Sequence, residues 1–139
     1  MRLIGLDLGE KRIGVAAADD RTRVAIPVTT VTVAADVVDS VVEIVREQRA
    51  DELVVGLPLS LSGAVGSQGQ LVLDIVEQLR ERLEIPIHTW DERLTTVQAV
   101  RAPIRPRRGK SARTAMAGRD AAAAAIMLQA FVDSRRSIE

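Results

Sequence analysis

The apolar runs and turn signals in the first third of the chain predict a three-stranded antiparallel meander. Residues 2–8 (Arg-Leu-Ile-Gly-Leu-Asp-Leu) predict a buried strand broken by a glycine. Gly9-Glu10-Lys11-Arg12 predicts a tight turn, and Ile13 to Ala18 the returning strand of a hairpin. After a turn at Asp19-Asp20-Arg21, the Val- and Thr-rich segment from Val24 to Val33 predicts a third strand, and Pro27 suits it to a sheet edge. At Asp36 the period changes to that of a helix: Val37, Val38, Val41, Val42 and Val45 share one face, and Asp36 stands where a cap belongs. Leu53-Val54-Val55-Gly56-Leu57-Pro58 predicts a strand buried on both faces, followed by a flexible loop from Ser60 to Gly66. Leu71, Val72, Ile75, Val76, Leu79 and Leu83 mark a second amphipathic helix, with Ser67 and Gln70 placed as a capping box. Ile85 to Trp90 predicts a fifth strand entered through Pro86. A short helix from about Thr95 would stop before Pro103, and a final helix would cover roughly Ala115 to Arg135.

The order βββαβαβα combines an antiparallel meander with strand–helix–strand units that require parallel pairing. It predicts an α/β fold with a five-stranded mixed sheet and helices on both faces. The 139 residues suit one domain over 1–139, with a C-terminal tail at about 134–139. The absence of cysteine excludes disulfides, zinc ribbons and thiol catalysis. One Trp, one Phe and no Tyr argue against a recognition surface of stacked aromatics. With no apolar run near the roughly 20 residues that span a bilayer, and no signal-peptide pattern, the expectation is a cytoplasmic protein without a membrane partner.

Three acidic positions stand apart from the solvated charges of the helices. Asp7 lies in the most apolar strand between Leu6 and Leu8, where an unpaired charge costs several kcal/mol. Gly5 and Gly9 share its face and leave room for a ligand or metal, although a carboxylate capping the Gly9 turn would look the same. Asp91-Glu92-Arg93 follows the fifth strand at its carboxyl end, where ligands collect in open α/β sheets; a charged strand-exit turn is the alternative. Asp120 precedes the run Ala121 to Ala125 and falls on the side of Ala124, Met127 and Phe131. It reads as a helix N-cap, as a ligand, or as both. Carboxylates converging without Cys or His clusters select a hard cation, Mg²⁺ or Mn²⁺, and a carboxylate-held metal pair suits phosphoryl transfer. The single histidine, His88, reads as a packed strand residue.

Charge sums to zero, 19 Lys+Arg against 19 Asp+Glu, yet its distribution is one-sided. No acidic residue lies between Arg93 and Arg119, while Arg93, Arg101, Arg105, Arg107, Arg108, Lys110, Arg113 and Arg119 all do. Pro103, Pro106 and Gly109 keep the middle of this stretch from being helical and predict a mobile basic arm at about 101–113. Beside an acidic pocket, such an arm would hold a phosphate backbone while the carboxylates hold the metal; a solvated loop is the plainer reading.

Gly5-Leu6-Asp7-Leu8-Gly9, Lys11-Arg12-Ile13-Gly14-Val15-Ala16, Val55-Gly56-Leu57-Pro58-Leu59, Trp90-Asp91-Glu92-Arg93-Leu94-Thr95-Thr96 and Asp120-Ala121-Ala122 ahead of Ile126-Met127-Leu128-Gln129 resemble the YqgF/RuvX family. The resemblance runs from Arg2 to about Asp133 with the motifs in the family's order. It implies an RNase H-like fold with the first strand central. It also implies a Holliday junction resolvase-like nuclease, or the nuclease that matures the 5′ end of pre-16S rRNA. The family's acidic residues carry over to Asp7, Glu92 with Asp91 beside it, and Asp120, as catalytic groups and ligands of two divalent ions. For a metal-dependent nuclease, Lys11 or Arg12 would stand near the scissile group, and both would join the basic residues above in binding nucleic acid. Two departures are visible. Ser60-Leu61-Ser62-Gly63 replaces an Asn-Met-Asp-Gly-like segment, and the turn before the last helix is Pro- and Arg-rich rather than Lys-rich.

Pre-16S rRNA maturation is the leading expectation, and a resolvase acting as a homodimer on four-way DNA junctions is the alternative. The valine-rich face from Val37 to Val45 would either cover the sheet or supply the dimer interface. A non-catalytic nucleic-acid-binding module would bind in a salt-sensitive way that ignores loss of Asp7. A nucleotide phosphotransferase of the actin/sugar-kinase type would need a second domain that 139 residues do not hold.

Overall fold

Two strands buried along most of their length and a third, largely exposed one start the fold. In the computed structural model, β1 (Arg2–Leu8), β2 (Arg12–Asp19) and β3 (Ala25–Thr32) form the meander. They are followed by α1 (Val37–Gln48), β4 (Glu52–Leu57), α2 (Ser67–Arg82), β5 (Ile87–Asp91), a 3₁₀ turn (Glu92–Leu94) and α3 (Ala112–Ile138). The structure describes residues 1–33, 35–60, 62–94 and 112–138, the side chains of 112–119 and 136–138 excepted. The short helix expected from Thr95, and the basic arm up to residue 111, lie outside the described residues. Among the described residues, no helix is long and apolar enough to cross a membrane.

The sheet order is β3-β2-β1-β4-β5, with β1 at the centre. β1 runs antiparallel to β2 and parallel to β4, and β4 runs parallel to β5, so the carboxyl ends of β1, β4 and β5 share one edge. Because alternate strand residues face opposite sides, β1 feeds two cores. Ile4 and Leu6, with Ile13, Val15, Leu53 and Val55, pack under Val38, Val41 and Ile44 of α1 and Val72, Ile75 and Leu79 of α2. Leu3, Ala16, Ala18 and Val54 pack under Ala124, Ala125, Met127, Leu128, Phe131 and Val132 of α3. The valines of α1 thus cover the sheet. Small residues bring α3 close: a Cβ on Gly5 would stand 2.9 Å from Cβ of Leu128.

Asp36 caps α1 as the sequence predicts, its Oδ1 accepting from the Val38 N–H at 2.8 Å. The capping box expected at α2 does not form. Gly66 takes the extended conformation that a cap requires, Ser67 is already helical, and Gln70 donates forward to Asp74 at 2.9 Å. The final helix is longer than expected at both ends. Past Gly109 nothing breaks it, and Ala-Arg-Thr-Ala-Met-Ala propagates well enough to tolerate Gly118, which costs about 1 kcal/mol. The helix therefore takes in Arg113 from the predicted arm and most of the predicted tail. Asp120 falls inside it, which overturns the N-cap reading.

β3 is an edge strand, as Pro27 suggested, and its start is closed off. Gln129 of α3 accepts from the Ala25 N–H at 2.8 Å and donates to the Arg23 carbonyl at 3.0 Å. The β2–β3 register then slips, Val15 opposing Thr29 and Ala16 opposing Pro27, so that Val28 bulges. At the sheet end opposite the shared carboxyl edge, Glu52 is buried and accepts from Arg135 at 2.8 Å, with His88 Nε2 at 3.0 Å. His88 is a packed strand residue, its ring 5.2 Å from that of Phe131.

Candidate active site

Three adjacent strands and one helix bring the acidic residues to the shared carboxyl edge. Asp7 follows Leu3 and Gly5 on the α3 face of β1, one residue before the strand ends. Its partner across the antiparallel pair is Gly14 of β2. A side chain on Gly14 would collide with the carbonyl oxygen of Asp120, so this glycine is what lets α3 descend onto β2 and bring Asp120 beside Asp7. On the other side of β1, Gly56 of β4 does the same for Glu92, whose Oε1 stands 2.7 Å from where a Gly56 Cβ would be. Asp7 therefore sits in the middle, with Asp120 over β2 on one flank and Glu92 over β4 on the other.

The electrostatics follow this order. Burial, and then repulsion from Asp120, raises the Asp7 carboxyl above its ordinary value. Burial raises Glu92 from 4.5 to about 7, with further repulsion from Asp7 and then Asp91. Arg12 Nε lies 3.0 Å from Asp120 Oδ2, but its N–H is not aimed at that oxygen. Oδ2 is thus buried beside a cation without a hydrogen bond. Mutually repelling carboxylates with an unsatisfied oxygen, and no sulfur or imidazole among them, fit a hard divalent cation. Among the described residues no three acidic or imidazole side chains close into a ready-made cage. The donors are instead shared pairwise, Asp7 being common to both pairs.

The other predicted site residues divide. Asp91 is turned to Arg93, whose guanidinium holds its carboxyl below the usual range. Arg12 reaches the site, and Lys11 is exposed at the β1–β2 turn beside it. Arg101, Arg105, Arg107, Arg108 and Lys110 lie outside the described residues, and Arg113 and Arg119 are placed only by their backbone in α3. Sequence reasoning missed Gly14 and Gly56 as builders of the site. The available signal was a glycine inside each of two otherwise apolar strands.

The Glu92 shift predicts a pH effect in protein freed of divalent ions. A carboxyl raised from 4.5 to about 7 contributes stability below 4.5 that is lost as pH rises through 7. Glu92→Gln should therefore stabilise the protein at pH 8 by about 1–3 kcal/mol, discounted for partial exposure, and have little effect at pH 4.5. Chemical denaturation in chelator at both pH values measures this.

A five-stranded mixed sheet in this order, with an acidic residue near the carboxyl end of a central β1 and helices on both faces, defines an RNase H-like α/β protein. Two solved structures share the fold. T. thermophilus RuvC in complex with a Holliday junction substrate matches with a TM-score of 0.58 at 14% identity, covering 98% of this chain and 96% of that one. The Fowlpox virus resolvase in complex with Holliday junction DNA matches with a TM-score of 0.59 at 10% identity, covering 97% and 99%. A family model described as RuvX, Holliday junction resolvase, matches residues 1–134, and the chain belongs to this family. Similar proteins named "Putative pre-16S rRNA nuclease" include one from Caldanaerobacter subterraneus subsp. tengcongensis, 42% identical over 142 residues and covering 99% of both chains. Another, from Roseiflexus sp., is 41% identical over 137 residues and covers 97% of this chain and 96% of that one. The chain is accordingly a hydrolase of phosphodiester bonds.

Proposed function

We propose that this nuclease acts in the cytoplasm as one domain over residues 1–139, trimming the 5′ end of pre-16S rRNA with Mg²⁺ or Mn²⁺ held by Asp7, Glu92 and Asp120. The observation that carries the reading is the shared position of Asp7, half-buried between two other carboxylates at the strand ends. RNA is favoured over DNA because the relatives named for pre-16S rRNA match nearly full length at about 40% identity. The junction-bound neighbours, at 14% and 10%, share the fold alone.

When bound, a pair of divalent ions would activate water and stabilise the leaving oxygen of an in-line displacement. Asp7, Asp120 and Glu92 would hold them. Arg12 and Lys11 would face the phosphates at the scissile position. The basic stretch through Arg101, Arg105, Arg107, Arg108, Lys110, Arg113 and Arg119 would hold the flanking backbone.

The family description favours a second reading, a resolvase of four-way DNA junctions that pairs its cuts as a homodimer. Purified protein with Mn²⁺ or Mg²⁺ should be offered a labelled 5′-extended rRNA precursor and a labelled four-way junction side by side, with Asp7→Asn as control. Cleavage of the RNA by the wild type alone is the expected result. Cleavage of the junction alone selects the second reading. Binding without cleavage by either protein makes the chain a binding module.

A further inference from the structure

We infer that Arg93 is a positioning residue that holds Glu92 in the site through Asp91, rather than a contact to substrate phosphate. The inference rests on the reading in which Glu92 is a site carboxylate.

Asp91 and Arg93 flank Glu92 in the chain and pair with each other. Asp91 Oδ1 accepts from the Arg93 backbone N–H at 2.9 Å, which sets the turn at the end of β5. The Arg93 side chain then returns to the same carboxylate. Its Nε is 3.1 Å from both oxygens and its Nη2 is 2.7 Å from Oδ2. This two-pronged pairing fixes direction as well as charge. The guanidinium also lies against Gly63, Nη1 being 3.3 Å from where a Cβ would stand, in a loop where Gly63 adopts φ +86°. The 3₁₀ turn itself lasts three residues, none of them buried, and Leu94 is 62% exposed. Glu92 is thus aimed across Gly56 by its two neighbours. Asp91 becomes the partner of Arg93 instead of a metal ligand.

The two roles of Arg93 separate experimentally. A phosphate contact tolerates Lys, which keeps the charge; a forked clamp does not. Arg93→Lys and Arg93→Gln should each lower kcat about 10–100-fold, the usual cost of releasing a group that orients a site residue. KM should hold within about 2-fold, and the salt dependence of binding to uncleaved RNA should be unchanged. Mn²⁺ affinity, measured by calorimetry, should weaken about 10-fold in Arg93→Gln. The double variant with Asp91→Asn should be no worse than either single change.

Wild-type kcat in Arg93→Lys, or a salt slope lower by about 1 with kcat kept, would overturn the inference in favour of a phosphate contact. If the wild type cleaves neither substrate, the proposed function fails separately. A crystal structure of Arg93→Gln still decides the clamp: Glu92 retained against Gly56 overturns it, and Glu92 swung away supports it.

Discussion

Asp7→Asn should reduce cleavage by about 10³-fold or more and leave the fold intact. Asp7 is common to both flanking carboxylates, so replacing one of its oxygens with an amide weakens both positions at once. A loss of that size corresponds to about 4 kcal/mol of transition-state stabilisation. The side chain keeps its volume, and nothing in the packing beneath it changes. Burial and Asp120 both disfavour the ionised form of Asp7, so the neutral amide should also be the more stable protein at pH 8 without divalent ions. Single-turnover cleavage beside a thermal melt tests both halves. A variant that loses activity and also melts early would show that Asp7 holds the fold rather than the chemistry.

Among the described glycines, Gly14→Ala should be the most damaging substitution. The new carbon would overlap the carbonyl oxygen of Asp120, a backbone atom inside a helix that cannot rotate away. Either α3 lifts off β2 or the strand shifts, and overpacking of this kind costs about 3 kcal/mol or more. Lifting α3 also withdraws Asp120 from Asp7, so activity should fall even where the protein remains folded. Gly66→Ala is the control: nothing lies within 4 Å of a Cβ there, and only the loss of a better N-cap residue, about 1 kcal/mol or less, is expected. Urea denaturation of the two variants should separate them by several-fold in stability loss.

What could be foreseen from sequence was whatever depends on local period and local chemistry. The buried strand carrying Leu3, Ile4 and Leu6, the helical spacing of Val38, Val41 and Val45, and the Asp36 cap are each decided within a few residues, and all appear. Ser67 misled because a Ser three residues before a Gln matches a capping box wherever the helix starts. The choice between Ser67 and Gly66 rests on backbone conformation, which the pattern does not contain. Asp120 misled for a related reason: an Asp before a run of Ala looks like a beginning, but helix-forming residues on both sides carried the helix through it.

The site was legible as residues and not as an arrangement. Asp7, Glu92 and Asp120 stand out by their unusual surroundings along the chain. Their order across the sheet depends on which glycines admit which neighbour, and those are contacts between elements far apart in sequence. The turning of Asp91 towards Arg93 was hidden too, because adjacent charges do not reveal whether they face a substrate or each other.

The treatment of β3 has a consequence for solubility. From Val24 to Ala35 the chain carries no charge, and Val24 and Ile26 are each 56% exposed, a combination that in an open edge would recruit further strands. Gln129 occupies the first backbone groups of that edge, Pro27 offers no N–H, and the bulge at Val28 spoils the register for an incoming strand. A helix side chain therefore acts as a stopper at the end of the sheet. Loss of that amide would show first as fibrils or precipitate, well before any change in catalysis.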